Sequence, residues 1–232
     1  MTKQELQERL SELAEPSYRS FQLKLQISQG PIYGVRTPKL QKLAKQLIQE
    51  EGVQTLKMLL SHKSLSYEET IILYKLFGQL SFSTEKRLSY LPSMLVYNQS
   101  WATNDCLASE MKWITKDKEI YFPYFCTLLG HEKPYDKRLG IITLMLYYLE
   151  DTTLDEVLKR LSSVASDHYY VMMALAWAYT SAFCKYRERT LEYLQPGILA
   201  EPVRKKAIQK CIESRLVHEE DKQLLKRLRK AP

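Results

Sequence analysis

Glycine, closely spaced cysteines and long apolar runs are all scarce in this 232-residue chain. Each scarcity excludes something. Seven glycines are too few for a β-rich fold with many tight turns. The four cysteines, Cys106, Cys126, Cys184 and Cys211, include no CxxC pair and no zinc-finger spacing. They read as free, mostly buried thiols in a reducing compartment. No stretch approaches the ~20 apolar residues that span a bilayer. The first fifteen residues carry Glu5, Glu8, Glu12 and Glu15 and lack the basic start and apolar run of a signal peptide. A cytoplasmic protein follows as the expectation, nucleoid-associated if it binds DNA. The four histidines stand apart, so no metal site is expected. GxGxxG, P-loop and GxSxG motifs are missing, which disfavours the common cofactor enzymes.

What is present is globular and helical. Hydrophobic residues make up 45% and charged residues 26%, and the length suits one domain over residues 1–232. Leu40, Leu43, Ala44, Leu47 and Ile48 mark a buried helix face. Thr37 should cap that helix, with Pro38 at its first position and Gly52 at its end. Further helices are predicted over 67–80, 84–96, 101–115, 120–129, 136–149, 153–163, 168–185, 187–193, 201–214 and 219–229. Ser83 should cap the helix at Thr84, and Pro92 should kink or split it. Asp151 or Thr152 should cap the helix at Thr153. The nearest thing to a strand, Pro31–Val35, is short and interrupted by Gly34. Short loops between such helices predict antiparallel pairs, consistent with a curved all-α solenoid that has a concave face.

The net charge of +7 is unevenly placed. From Lys185 onward there are thirteen Lys and Arg against seven Asp and Glu, so an anionic partner would be felt there. A solvated lysine-rich surface would look the same. Arg36, Lys39, Lys42 and Lys45 step by three along one helix start. Arg204, Lys205, Lys206 and Lys210 cluster at another, where cations oppose the helix dipole. Basic side chains at helix N-termini suit phosphate contacts.

Three constellations could carry chemistry. Trp101 and Asp105 share a helix face at i, i+4, an indole beside a carboxylate. By itself a tryptophan near a helix start serves packing more often than chemistry. Lys137 and Arg138 open an apolar helix, where a guanidinium could clamp a phosphate or pair with a nearby acid such as Glu132. The run Asp167–Trp177 is strongly apolar, with Trp177 about two turns beyond Tyr170. Most of it reads as a core helix, and Met172 and Met173 as core filler.

Together these residues resemble the AlkD-like DNA alkylation repair family, the HEAT-like-repeat alkylpurine DNA glycosylases. The resemblance runs through Tyr33-Gly-Val-Arg-Thr-Pro38, Ser100-Trp-Ala-Thr-Asn-Asp105, Lys137-Arg138, Asp167-His-Tyr-Tyr…Ala-Trp177 and Arg204-Lys-Lys-Ala-Ile-Gln-Lys210. It covers about residues 17–229. Each motif alone is weakly specific, and the ordered set is more so. Ser100 and Ala102 stand where the best-known members carry an aromatic and an acidic residue. The resemblance implies a curved solenoid of HEAT-like helix pairs. It also implies excision of cationic alkylated purines, such as 3-methyladenine and 7-methylguanine, from duplex DNA by a monomer without cofactor. Asp105 would stabilise the sugar cation and position water, flanked by Trp101 and Trp177, while Arg138 holds the backbone. Arg36, Thr37, Lys39, Lys42, Lys137, Arg204, Lys205, Lys206 and Lys210 would contact DNA. The family is thought to work from the backbone side, without a base pocket. Two rivals remain open: a catalytically silent DNA-binding paralogue, and a helical-repeat scaffold for a partner protein.

Overall fold

A computed structural model describes residues 1–25, 27–28 and 30–230. Among them there are thirteen α-helices, one 3₁₀ helix and no strand. By packing, the chain groups into two compact units, residues 1–117 and 118–232. No helix of the described residues is long and apolar enough to cross a membrane.

Unit 1 holds α1 (Lys3–Leu13), α2 (Pro16–Lys24), α3 (Thr37–Leu60), α4 (Tyr67–Gln79), α5 (Thr84–Leu95), α6 (Trp101–Glu110) and a 3₁₀ turn (Lys112–Lys116). Its centre is α4, buried without a break from Glu68 to Phe77 and packed on α3 and α6. Its buried polar residues are engaged: Glu68 by backbone N–H groups and Lys75 by Glu110. Gly78 permits the close approach of α4 to α6, because a Cβ there would lie 2.5 Å from the Glu110 carbonyl oxygen.

Unit 2 holds α7 (Lys118–Leu128), α8 (Pro134–Tyr147), α9 (Leu154–Ser162), α10 (Tyr169–Lys185), α11 (Arg187–Tyr193), α12 (Glu201–Glu213) and α13 (Glu219–Lys230). Here α10 is central, packed on α8, α11 and α12. Tyr179 sits inside and donates its hydroxyl to the Leu158 carbonyl at 2.9 Å.

Several local expectations are corrected. Thr37 is the first helical residue of α3, not its cap; Arg36 is the cap, with extended backbone and no side-chain cap bond. Gly52 does not end that helix. The chain kinks at Glu51 (φ −149°, ψ 43°) and continues helical to Leu60. Gly52 is buried where a Cβ would meet Leu80 at 2.9 Å, so packing explains it. The helix predicted over 101–115 ends at Glu110, and Met111 (ψ 36°) turns the chain into the 3₁₀ segment. Thr153 is the cap of α9, and its hydroxyl bonds back to the Tyr148 carbonyl at 2.6 Å. Ser83 does cap α5, and Pro92 lies inside that helix without splitting it. The acidic N-terminus forms α1, opened by a Thr2–Glu5 capping box, and α2, neither of which the sequence reading anticipated. The cysteines are free, but only Cys211 is buried; the other three are partly exposed. Met172 and Met173 are likewise half-buried.

Pro31–Val35 is coil, held by a buried acid. Glu68, fully buried, accepts from the backbone N–H groups of Tyr33 (2.9 Å), Gly34 (2.8 Å) and Val35 (3.2 Å). Gly34 is required there. Its φ is +93°, and a Cβ would stand 2.6 Å from that of Arg19. This anchor delivers Arg36 and Thr37 to the start of α3.

Candidate active site

In unit 1, stripes from four helices meet around one cleft of about 350 Å³. α2 gives Tyr18, Phe21 and Gln22, and Leu25 at its C-cap continues the same i, i+3, i+4, i+7 face. α3 gives Thr37 and Leu40. α4 gives Tyr67, Ile71 and Lys75. α6 gives Trp101, Ala102, Asp105, Cys106, Ser109 and Glu110. Trp101 and Asp105, paired by the sequence reading, thus line one cavity, and both are partly exposed.

The start of α6 is set by a reciprocal cap. The Thr103 N–H donates to the Ser100 hydroxyl at 3.2 Å, and the Ser100 N–H donates to Thr103 Oγ1 at 3.2 Å. Ser100 therefore does capping work where the family's best-known members carry an aromatic. Asn104, fully buried, donates to Asn98 at 3.1 Å. These bonds fix the first turn, and with it the direction of the Trp101 and Asp105 side chains.

The cleft floor is an ion-pair network. Lys75 donates to Glu110 at 2.6 Å and to Gln41 at 2.7 Å, and Gln79 donates to the other Glu110 oxygen at 3.1 Å. Burial pushes the Cys106 thiol up to about 12 and raises the Tyr67 hydroxyl, with Cys106 and Glu68 adding to the effect. Both stay protonated at neutral pH, so neither is a ready nucleophile. Sequence reasoning missed Tyr18, Phe21, Gln22, Tyr67, Lys75 and Glu110. The aromatic residues of α2 were a signal that could have found the first two.

At the rim, Arg36 lies 4.7 Å over the Tyr18 ring and pairs with Glu15 at 2.8 Å. Lys39 pairs with the same carboxylate at 3.0 Å. The Arg36 and Lys39 bonds hold the Glu15 carboxyl below the usual range. Thr37 and Lys42 are exposed.

Unit 2 places the remaining candidates. Trp177 is 40% exposed on α10, where Val171, Ala174, Leu175, Ala176, Ala178 and Tyr179 are buried. Arg138 is buried and donates to the Tyr170 carbonyl at 2.7 Å, and Lys137 reaches the Ala165 carbonyl at 2.9 Å. Arg204 corrects the picture of a basic surface cluster. It is fully buried, donates to Glu201 at 2.7 and 2.9 Å, and donates to the Leu228 carbonyl at 3.0 Å. It braces α12 against the end of α13 and presents nothing to solvent. Arg204, then Lys205, hold the Glu201 carboxyl at about 2. Lys205 and Lys206 are exposed and Lys210 is half-buried. No three His, Cys, Asp or Glu side chains of the described residues converge as metal ligands.

A comparison with curated proteins finds no match. The model of one protein family, described as DNA alkylation repair enzyme, matches residues 6–227. That span takes in the Trp101–Asp105 cleft and nearly all the rest of the chain, which therefore belongs to the DNA alkylation repair enzyme family.

Proposed function

We propose that this protein is a monofunctional DNA glycosylase of base-excision repair. It hydrolyses the N-glycosidic bond of positively charged alkylated purines, 3-methyladenine and 7-methylguanine, in duplex DNA. The observation that carries the reading is a carboxylate, Asp105, set beside Trp101 in an aromatic cleft, in a chain of an alkylation repair family. Alkylation makes the base a cation and a good leaving group. As the C1′–N bond breaks, its electron pair passes to the base and cancels that charge. The sugar becomes oxocarbenium-like, the species carboxylates stabilise in glycosidases. Water oxygen bonds to C1′, and its proton leaves through Asp105 or solvent. The products are a neutral alkylated base, an abasic sugar with a hydroxyl at C1′, and a proton.

Trp101 offers its π-face to the cation; Trp177, in unit 2, is the second indole that the family resemblance implies. Arg36, Thr37, Lys39 and Lys42, with Lys137, Lys205, Lys206 and Lys210, contact phosphates. Arg138, bonded to the Tyr170 carbonyl, supports the frame that presents Lys137, and Arg204 serves folding alone. The reaction needs no metal or cofactor. The reading takes the helix pairs as HEAT-like repeats of a single-domain, cytoplasmic monomer.

The test is release of 7-methylguanine and 3-methyladenine from methylated duplex DNA, wild type beside Asp105→Asn. Release by wild type alone supports the reading. No release with salt-sensitive DNA binding intact replaces it with a silent DNA-binding paralogue, a reading favoured by the engagement of Arg138 and Arg204 inside the protein. Neither release nor binding leaves a protein scaffold.

A further inference from the structure

Within unit 2, α10 and α12 pack side by side. The Thr180 hydroxyl on α10 donates to the Ala207 carbonyl on α12 at 3.3 Å. Four residues after Thr180, the Cys184 sulfur meets the hydroxyl of Ser214, the C-cap of α12, at 3.9 Å. The two contacts advance together, so the helices run in the same direction. A threonine hydroxyl reaches a backbone carbonyl of another helix only where the two approach closely, and the buried Ala207 leaves room for that.

Cys211 lies between these contacts on α12. It stands four residues after Ala207 and three before Ser214, so it shares the face that both turn to α10. It is fully buried, and Thr180 and Cys184 are the side chains that bear on its thiol. Each cysteine thus faces the turn of the other helix that holds its counterpart. The remaining two are placed elsewhere. Cys106 is in unit 1, and Cys126 lies on α7 near Arg160 and Glu156. The pair is also unequal. Cys184 is partly exposed, while burial pushes the Cys211 thiol up to about 12. A dissolved oxidant therefore meets Cys184 first.

We propose that Cys184 and Cys211 form a reversible oxidation site, which a peroxide closes to a disulfide. The Cys184 thiolate attacks one peroxide oxygen. An S–O bond forms, the O–O bond breaks, and the departing hydroxide takes up a proton as water. The Cys211 sulfur then attacks the sulfur of the resulting sulfenic acid. The S–S bond forms, the S–O bond breaks, and the Cys211 proton leaves with the hydroxide as a second water. Two thiols have lost two electrons and two protons, and one peroxide has become two waters. A dithiol reopens the bond by exchange. In a reducing compartment the bond forms only under oxidative challenge. It ties the helix that carries Trp177 to the helix that carries Lys206 and Lys210. The site does not depend on the glycosylase reading.

The experiment treats the reduced, folded protein with hydrogen peroxide, quenches with catalase and alkylates the remaining thiols in denaturant. Intact mass and a peptide map made without reductant are read for wild type, Cys184→Ser, Cys211→Ser and Cys211→Ala. The alanine variant serves if a hydroxyl at the buried position prevents folding. Wild type should lose two hydrogens and keep two alkylatable cysteines of its four. Its map should show one linked pair of peptides, holding Cys184 and Cys211, and dithiothreitol should restore all four thiols. The oxidised form should melt roughly 5 °C higher than the reduced form, because the cross-link constrains the unfolded chain. No variant should form the link or show that rise, and in Cys184→Ser the Cys211 thiol should stay unoxidised. Four alkylatable thiols after peroxide, or oxygen adducts on Cys184 without a link, would overturn the proposal. So would bonds to Cys106, to Cys126 or to a second molecule. A link that forms only in denaturant would show the folded pair to be out of reach and overturn it as well.

Discussion

The two sites that the sequence marked most strongly behave oppositely. At the start of α6, Trp101 and Asp105 remain partly open and line a cleft. At the start of α12, Arg204 is fully buried and engaged by Glu201 and the Leu228 carbonyl. Both are functional-looking side chains at helix N-termini. They differ in what the packing around them leaves to do. The first turn of α6 is held by the Asn104–Asn98 bond and the Ser100–Thr103 cap, while Trp101 and Asp105 line the cavity. The guanidinium of Arg204 instead satisfies a helix-end carbonyl, a common need at a helix C-terminus. Cationic residue type at a helix start does not by itself locate an anion site.

The strongest test of this contrast is Asp105→Asn. Excision should fall by about 10² or more, the cost of losing a preorganised charge in a site of this kind, with the melting temperature nearly unchanged. Loss of both together would make Asp105 a structural residue like Arg204. Arg204→Met should show the mirror image. It should lower stability by about 2–3 kcal/mol, since it breaks an interior hydrogen-bond network. The slope of DNA affinity against salt should stay as in wild type. The bridge also gives the acid limb a sign. The Glu201 carboxyl is depressed to about 2, so its contribution is present above the ordinary glutamate range and lost as pH falls towards 2. Arg204→Met should flatten that limb in acid unfolding curves.

Smaller effects sharpen the comparison further. Ser100→Ala removes the α6 cap and should cost about 1 kcal/mol in chemical denaturation, with excision falling because Trp101 and Asp105 lose their fixed first turn. Lys206→Ala, on the exposed face beside Arg204, should leave stability within about 0.5 kcal/mol. It should reduce the salt slope of DNA binding by about one. A change in stability with no change in slope would place Lys206 with the braces.

The helices themselves were legible because their signals are local. Periodic leucines, Ser83 before Thr84 and the proline and glycine positions carried most element boundaries to within a residue or two. The exceptions had nonlocal causes. Gly52 looked like a helix stop and proved to be a contact with Leu80. α1 and α2 were hidden by polar composition, though α1 opens with a Thr2–Glu5 capping box. In the site, the i, i+4 spacing of Trp101 and Asp105 determined their shared face.

By itself, then, the sequence determined an all-helical chain, the pairing of Trp101 with Asp105 and the basic starts of α3 and α12. Tertiary structure alone decided that α2 turns Gln22 inward and Phe21 outward, that Lys75 and Glu110 floor the cleft, and that Arg204 is interior while Lys206 is not. The physical reason is that periodicity records which residues share a face. Burial and partnership depend on what packs against that face, and those partners lie tens of residues away in the chain.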